Sequence, residues 1–178
     1  ELKMAKSEGN IVNLKDLVAE GFSPLAYRYF LLLSHYRNPT NFTLEALEAA
    51  QKAYRNLKNL FASFPSGGKV NESLHNDFKI ALENDLNTPQ ALAAVWNLLK
   101  TTIPDEDKRA TLEEFDKVLG LELDKLDEIP KEILQLKDEM DKARQQKDFE
   151  TSDKIRNELE SKGWQTNISG DSSSIYRA

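Results

Sequence analysis

The sequence contains no cysteine and only two histidines, which restricts the metal chemistry open to it. Without thiolates, the chain forms neither a disulfide framework nor a cysteine-ligated zinc site. The two histidines, His35 and His75, lie far apart in sequence and do not by themselves complete a zinc cage. We therefore predict no metal site in this chain.

Glycine and proline are also scarce, with seven and six residues among 178, which favours helices over turns and strands. No apolar run approaches the roughly 18 to 20 residues that a bilayer-spanning helix needs. Charged residues sum to −6 (24 basic, 30 acidic), so the chain has no overall positive field for nucleic acid. We expect a cytoplasmic protein, or a piece of one, with no membrane partner and with any RNA contact confined to local patches.

Five amphipathic helices are predicted between about residues 21 and 121, where they form a helical bundle. Ser23-Pro24, Thr43 and Asn87 each provide a side-chain cap at a predicted helix start, and Gly120 suits the position after the last helix. The first of these helices is expected to be central, with an apolar stripe that runs as far as Tyr36. Residues 121–130 read as a polar linker.

Beyond the linker, the composition shifts to dense mixed charge in two short helices, 131–146 and 148–162. The few apolar residues along which the two helices face each other form a thin seam. They are Ile133, Leu136, Met140 and Ala143 in the first helix and Phe149, Ile155 and Leu159 in the second. Residues 164–176 alternate apolar and polar around a Ser-Gly-Asp turn, which predicts a β-hairpin that covers the seam. The fold class is therefore mainly α: a helical bundle, then a small α+β module from 127 to 178 made of a helical hairpin and a β-hairpin.

The first 20 residues contain a polar loop with two lysines, Lys3 and Lys6, followed by Ser7 and a Gly-Asn pair. Ammonium groups on long stems suit a polyphosphate, because they can follow its negative charge as a phosphate departs. The loop lacks the glycine spacing of a Walker P-loop. Taken alone, the two lysines fit a solvated terminus better than a nucleotide site.

The order of residues in this loop, Lys-Met-Ala-Lys-Ser, resembles the Lys-Met-Ser-Lys-Ser signature of class I aminoacyl-tRNA synthetases, with Ala5 where serine is usual. Further motifs in the same order along the chain resemble cysteinyl-tRNA synthetase. They are residues 27–31 (YRYFL), 34–37 (SHYR), 85–89 (DLNTP), 119–121 (LGL) and 143–149 (ARQQKDF), continuing to Asp153, Arg156 and Leu159. The resemblance covers almost the whole chain.

This resemblance implies that the helical bundle at 21–121 is of the anticodon-binding-domain type and that residues 127–178 are the C-terminal anticodon-binding module. The intact protein is then expected to activate cysteine with ATP and to transfer it to cysteine tRNA. The resemblance also implies that residues 1–20 end a catalytic domain whose zinc site lies outside this chain, so this C-terminal part should not aminoacylate alone. Lys3 and Lys6 are carried over as catalytic residues, and Lys6 and Ser7 as ATP-binding residues.

For the tRNA anticodon, the resemblance implies four residues in the helical hairpin: Arg144, Phe149, Asp153 and Arg156. The last three fall at i, i+4 and i+7 of one helix and share a face, where a ring can stack an unpaired base and charged groups can read its edges. The structural alternative packs Phe149 in the seam and pairs Asp153 in a surface ion pair.

The roles of three residues in the predicted bundle stay open from the sequence. Arg28 and Arg37 either contact a tRNA stem or bridge helices. His35 either caps or packs at the end of the helix or takes part in chemistry. A stand-alone helical scaffold, a free-standing tRNA-binding module without catalysis, and a ligase for a small amine are the competing functions. The charged terminal hairpin favours tRNA over the small amine.

Overall fold

The computed structural model describes residues 13–125, 130–169 and 172–177, and these form two compact units divided between Lys125 and Leu126. The first unit is helical, with α1 (Leu14–Ala19), α2 (Pro24–Leu32), α3 (Leu44–Ser63), α4 (Glu72–Glu83), α5 (Thr88–Lys100) and α6 (Asp105–Leu119). The second has α7 (Lys131–Gln145), α8 (Phe149–Ser161), β1 (Trp164–Ser169) and β2 (Ser172–Arg177). The predicted mainly α fold class is confirmed.

The helix starts predicted in the first unit are held by the side-chain caps that the sequence indicated. The side chains of Ser23, Thr43 and Asn87 accept hydrogen bonds of 3.1 to 3.2 Å from backbone amides two or three residues further on. Gly120 follows α6 in the left-handed conformation, with φ at 62°. Each cap satisfies an amide or carbonyl that the helix itself leaves unpaired, which explains why these boundaries are readable from sequence.

An aromatic-rich core joins the helices of the first unit. Tyr29 is buried in α2, and its hydroxyl accepts a 2.9 Å hydrogen bond from the indole of Trp96, which packs against the core from α5. Phe78 and Phe115 stack with ring centroids 4.2 Å apart and tie α4 to α6. Burial of these rings contributes to the stability of the unit.

Helix α2 is shorter than predicted, so the expectation of an apolar stripe reaching Tyr36 was wrong. The helix ends at Leu32, and the side chains of Leu31, Leu33 and Tyr36 are 46%, 46% and 61% exposed. Beyond it, the hydroxyl of Tyr36 donates a 2.7 Å hydrogen bond to Asp85. The apolar residues in this stretch therefore mark a surface turn anchored by a polar contact.

The expectation that residues 121–130 form a polar linker was wrong at its start. Leu121 and Leu123 are buried, with 0% and 3% of their surface exposed. Both backbone amides donate to the carboxylate of Asp116, at 2.7 and 2.8 Å, and the Leu121 carbonyl accepts from the hydroxyl of Tyr54 at 2.9 Å. These contacts fold the chain back onto the core of the first unit.

In the second unit, an antiparallel β-hairpin packs on the helical hairpin, as predicted. Strand β1 contacts α8 and strand β2 contacts α7, with Trp164 opposite Arg177 and Ser169 opposite Ser172 in the register. Trp164, which starts β1, is buried against the helices rather than exposed. The apolar centre is small and consists of Ile133, Met140, Leu159 and Trp164, flanked by Leu136, Ile155 and Ile175.

Candidate nucleic-acid interface

Three of the predicted anticodon residues lie on one exposed face of helix α8. At about 100° per residue, Phe149, Asp153 and Arg156 fall within roughly 60° of one another around the helix axis. All three are exposed, whereas Ser152 and Leu159 form the buried face. The structure therefore brings together a ring, a carboxylate and a guanidinium, as the spacing predicted.

Phe149 lies on the surface, and the alternative that it packs in the hairpin seam was wrong. Its side chain is 57% exposed. It is the first residue of α8, immediately after the N-cap Asp148, and it lies about 70° around the helix axis from the midpoint of Ser152 and Leu159. An aromatic ring exposed at a helix start offers a face on which an unpaired base can stack.

The two charged residues of this face differ in their partners. The Nε of Arg156 donates to Glu160 at 3.3 Å, an exposed i,i+4 pair of the kind that contributes little stability. Within the described part of the chain, Asp153 has no hydrogen bond or ion pair, so the predicted alternative of a surface ion pair is not seen there. Its carboxylate is open to accept from a base amine.

The fourth predicted residue, Arg144, lies in the last turn of α7 and is only partly exposed. Its Nε is buried, and no described residue forms a hydrogen bond with it. Burial at Nε limits the rotamers of the side chain. Arg144 is thus held near the end of the hairpin that carries Phe149.

The tip between the two helices is a tight, well-bonded turn. Lys147 adopts the left-handed conformation, with φ at 61°, and its amide donates to the Arg144 carbonyl at 2.8 Å. Asp148 caps α8 by accepting from the amide and hydroxyl of Thr151, at 3.1 and 2.7 Å, and these bonds hold the pKa of Asp148 below its usual range. The sequence reasoning missed Lys147, because no glycine or asparagine marks the left-handed position.

A second polar cluster lies on the surface of the first unit. Arg37 donates to both carboxylate oxygens of Asp85, at 2.7 and 3.1 Å. Hydrogen bonds from Arg37 and then from Tyr36 lower the pKa of Asp85, and the bond to Asp85 raises the pKa of Tyr36. His35 stacks on Tyr36 with centroids 4.9 Å apart. The cluster joins the loop after α2 to the turn after α4.

The two arginines that were left open in the first unit both bridge elements. Arg37 ties its loop to Asp85, and Arg28 donates a 2.6 Å hydrogen bond from Nε to the carbonyl of Leu119, at the end of α6. Gly120 lies directly against the Arg28 guanidinium, which leaves no ordinary space for a side chain there. These contacts support the helix-bridging alternative for both residues.

The predicted ATP-loop residues Lys3, Lys6 and Ser7 lie outside the described residues. Among residues 13–125, 130–169 and 172–177, no group of three His, Asp or Glu side chains is arranged to hold a metal ion. In the same ranges, no helix combines the length and apolarity needed to cross a membrane.

No protein-family model matches the chain. Curated proteins of similar sequence were found, and they are tRNA ligases. The chain is 40% identical over 166 residues to cysteine–tRNA ligase 1 of Burkholderia lata, 41% over 172 residues to the cysteine–tRNA ligase of Opitutus terrae, and 35% over 193 residues to that of Borrelia hermsii. Each match covers 91% of this chain and 35% to 39% of the relative.

The chain is therefore related to the cysteine–tRNA ligases over almost its whole length, and the resemblance stated from the sequence is confirmed. It spans little more than a third of the length of these relatives.

Proposed function

We propose that this chain is the tRNA-binding and ATP-loop portion of a cysteinyl-tRNA synthetase, with α7 and α8 contacting the anticodon. The exposed face of Phe149, Asp153 and Arg156 is the observation that carries the proposal. The names of the relatives support cysteine tRNA as the RNA partner and ATP and cysteine as the substrates of the intact protein.

The chemistry of the exposed face suits an unpaired base rather than a duplex. The ring of Phe149 provides stacking, which does not depend on base identity, whereas Asp153 and Arg156 add selectivity for exocyclic amines and for guanine or phosphate. Arg144 adds a guanidinium from the neighbouring helix end. Selective reading by a few residues is compatible with the acidic net charge of −6, because it needs few phosphate contacts.

Lys3, Lys6 and Ser7 are the residues proposed for ATP. Lys6 neutralises phosphate charge in the transition state of adenylation, Lys3 adds electrostatic support, and Ser7 adds a secondary polar contact. The zinc site and the pocket for cysteine belong, on this proposal, to the remainder of the intact ligase. The chain by itself should then bind tRNA without charging it.

Pyrophosphate exchange in the intact ligase tests the assignment of Lys6. Loss of a preorganised cation should cost about 3 kcal/mol, so Lys6→Ala should slow exchange by roughly 10²-fold or more. Lys15→Ala, in the helix that follows the loop, is the matched control and should leave the rate near that of wild type. An exchange rate for Lys6→Ala within about threefold of wild type would remove Lys6 from the mechanism.

Substitutions in α8 test the RNA face. Arg156 and Lys154 are both exposed cations in i,i+4 ion pairs of the same helix, but they lie about 160° apart around its axis. Arg156→Gln should weaken binding of cysteine tRNA by about 1 to 3 kcal/mol, whereas Lys154→Gln should have little effect. If both variants lose the same affinity for cysteine tRNA, α8 contributes only its overall charge. That result would favour the alternative of a scaffold with no specific RNA face.

A further inference from the structure

We propose that Lys147 binds a backbone phosphate of the nucleotide whose base stacks on Phe149. This inference rests on the proposed function. It gives a role to Lys147, which is part of the motif at 143–149 but has no role in the resemblance or in the relatives' names. Two observations carry it: the backbone conformation of Lys147 and the lack of an ion pair for its side chain among the described residues.

Lys147 occupies a position where glycine is the favoured residue. Its φ of 61° lies in the left-handed region, and two 2.8 Å bonds close the turn there, from the amide of Lys147 to the Arg144 carbonyl and from the amide of Asp148 to the Ala143 carbonyl. Helices often end with this pattern, and glycine takes the left-handed position because it has no Cβ. A lysine there is unfavourable for the fold.

The ammonium group of Lys147 is available to a ligand. The residue is exposed, and no ion pair joins it to any residue between 130 and 169. Lys137, Lys154 and Arg156 pair with acidic residues of their own helices. Lys142 and Arg144 resemble Lys147 in having no ion pair among the described residues, but only Lys147 occupies the left-handed position next to Phe149. The adjacent acid, Asp148, directs both carboxylate oxygens to Thr151.

The distance between Lys147 and Phe149 fits one nucleotide. Two Cα–Cα steps of 3.8 Å place their Cα atoms at most about 7.6 Å apart. From there the flexible four-carbon stem of lysine can reach the phosphate of a base that lies on the ring. The turn thus presents a stacking surface and a phosphate-binding cation side by side at the end of the hairpin.

Salt-dependent binding of cysteine tRNA to the whole chain tests this inference. Each phosphate contact to single-stranded RNA adds about 0.7 to the slope of log affinity against log salt, so Lys147→Gln should lower the slope by about 0.7. Near 0.1 M salt the affinity should fall roughly fivefold. Lys147→Gly should lose the same affinity while its Tm equals or exceeds that of wild type, because glycine relieves the turn.

The matched control is Lys131→Gln. It removes the same charge from an exposed position at the far end of α7, about 20 Å from the tip, and should leave the slope unchanged. An unchanged slope for Lys147→Gln, or an equal loss for Lys131→Gln, would overturn the inference.

Phe149→Ala separates this inference from the proposed function. If Phe149→Ala weakens binding while Lys147→Gln leaves the salt slope at its wild-type value, the hairpin binds RNA and only the role of Lys147 is wrong. If neither variant changes the affinity for cysteine tRNA, the RNA face itself is wrong, and the inference falls with it.

Discussion

The hydroxyl of Ser173, in strand β2, donates a 2.6 Å hydrogen bond to the carboxylate of Asp141, in helix α7. The same carboxylate accepts a 2.7 Å bond from Lys137, one turn earlier in the helix. Burial by itself would raise the pKa of Asp141, but the bonds from Lys137 and Ser173 outweigh it and leave the pKa lowered. A side-chain contact thus fastens the β-hairpin to the helical hairpin whose apolar centre is small.

Asp141→Asn should destabilise the second unit by about 1 to 2 kcal/mol at neutral pH, because it weakens two hydrogen bonds to a charged acceptor. The pKa of Asp141 in the folded state is below the ordinary 3.8. The ionised carboxylate therefore stabilises the fold above pH 3.8, and this stabilisation is lost as the pH falls through the lowered folded-state pKa. Urea unfolding at neutral pH and below pH 4 measures both effects.

Glu150→Gln, which breaks an exposed pair with Lys154, is the control and should cost less than about 0.5 kcal/mol. A difference between Asp141→Asn and wild type that persists at the lowest pH would contradict this account.

Phe149→Ala should leave stability within about 0.5 kcal/mol of wild type, because Phe149 is 57% exposed. Affinity for cysteine tRNA should nevertheless fall by about 1 to 3 kcal/mol through loss of a stacked base. Thermal unfolding and fluorescence anisotropy of labelled tRNA measure the two quantities. Leu134→Ala, at a 41% exposed position of α7, is the control and should change neither. Strong destabilisation by Phe149→Ala would instead show that the ring packs inside the unit.

Leu121→Ala should destabilise the first unit by about 2 to 5 kcal/mol, because it opens a cavity at a fully buried position. Leu86→Ala removes the same atoms from a side chain that is 60% exposed and should cost less than about 0.5 kcal/mol. Chemical denaturation of both variants makes the comparison. If both variants lose equally little stability, Leu121 does not pack in the core and the chain leaves the core at Gly120.

Features set by local chemistry were predictable from the sequence. Ser23, Thr43 and Asn87 cap helices because their side chains bond the free amides of their own first turns. The shared face of Phe149, Asp153 and Arg156 followed from helical spacing once the start of α8 was located. Such features depend on residues only a few positions apart.

Features set by distant partners were not predictable. The early end of α2 accompanies a bond from Tyr36 to Asp85, 49 residues away. The burial of Leu121 accompanies a bond from Tyr54, 67 residues away. One alternative placed Phe149 in the apolar seam, because an apolar residue at the first position of a helix can either pack inside the hairpin or lie on its surface. Lys147 adopts a left-handed conformation that glycine usually takes, so no residue pattern in the sequence indicated it.

Binding of this chain to cysteine tRNA, compared with the same tRNA carrying an altered anticodon, tests the central proposal most directly. We expect weak binding with a shallow salt dependence, and an affinity loss of about tenfold, roughly 1.4 kcal/mol, when one anticodon base that contacts the α8 face is replaced. Equal affinity for the two tRNAs at several salt concentrations would contradict the proposal that this hairpin reads the anticodon.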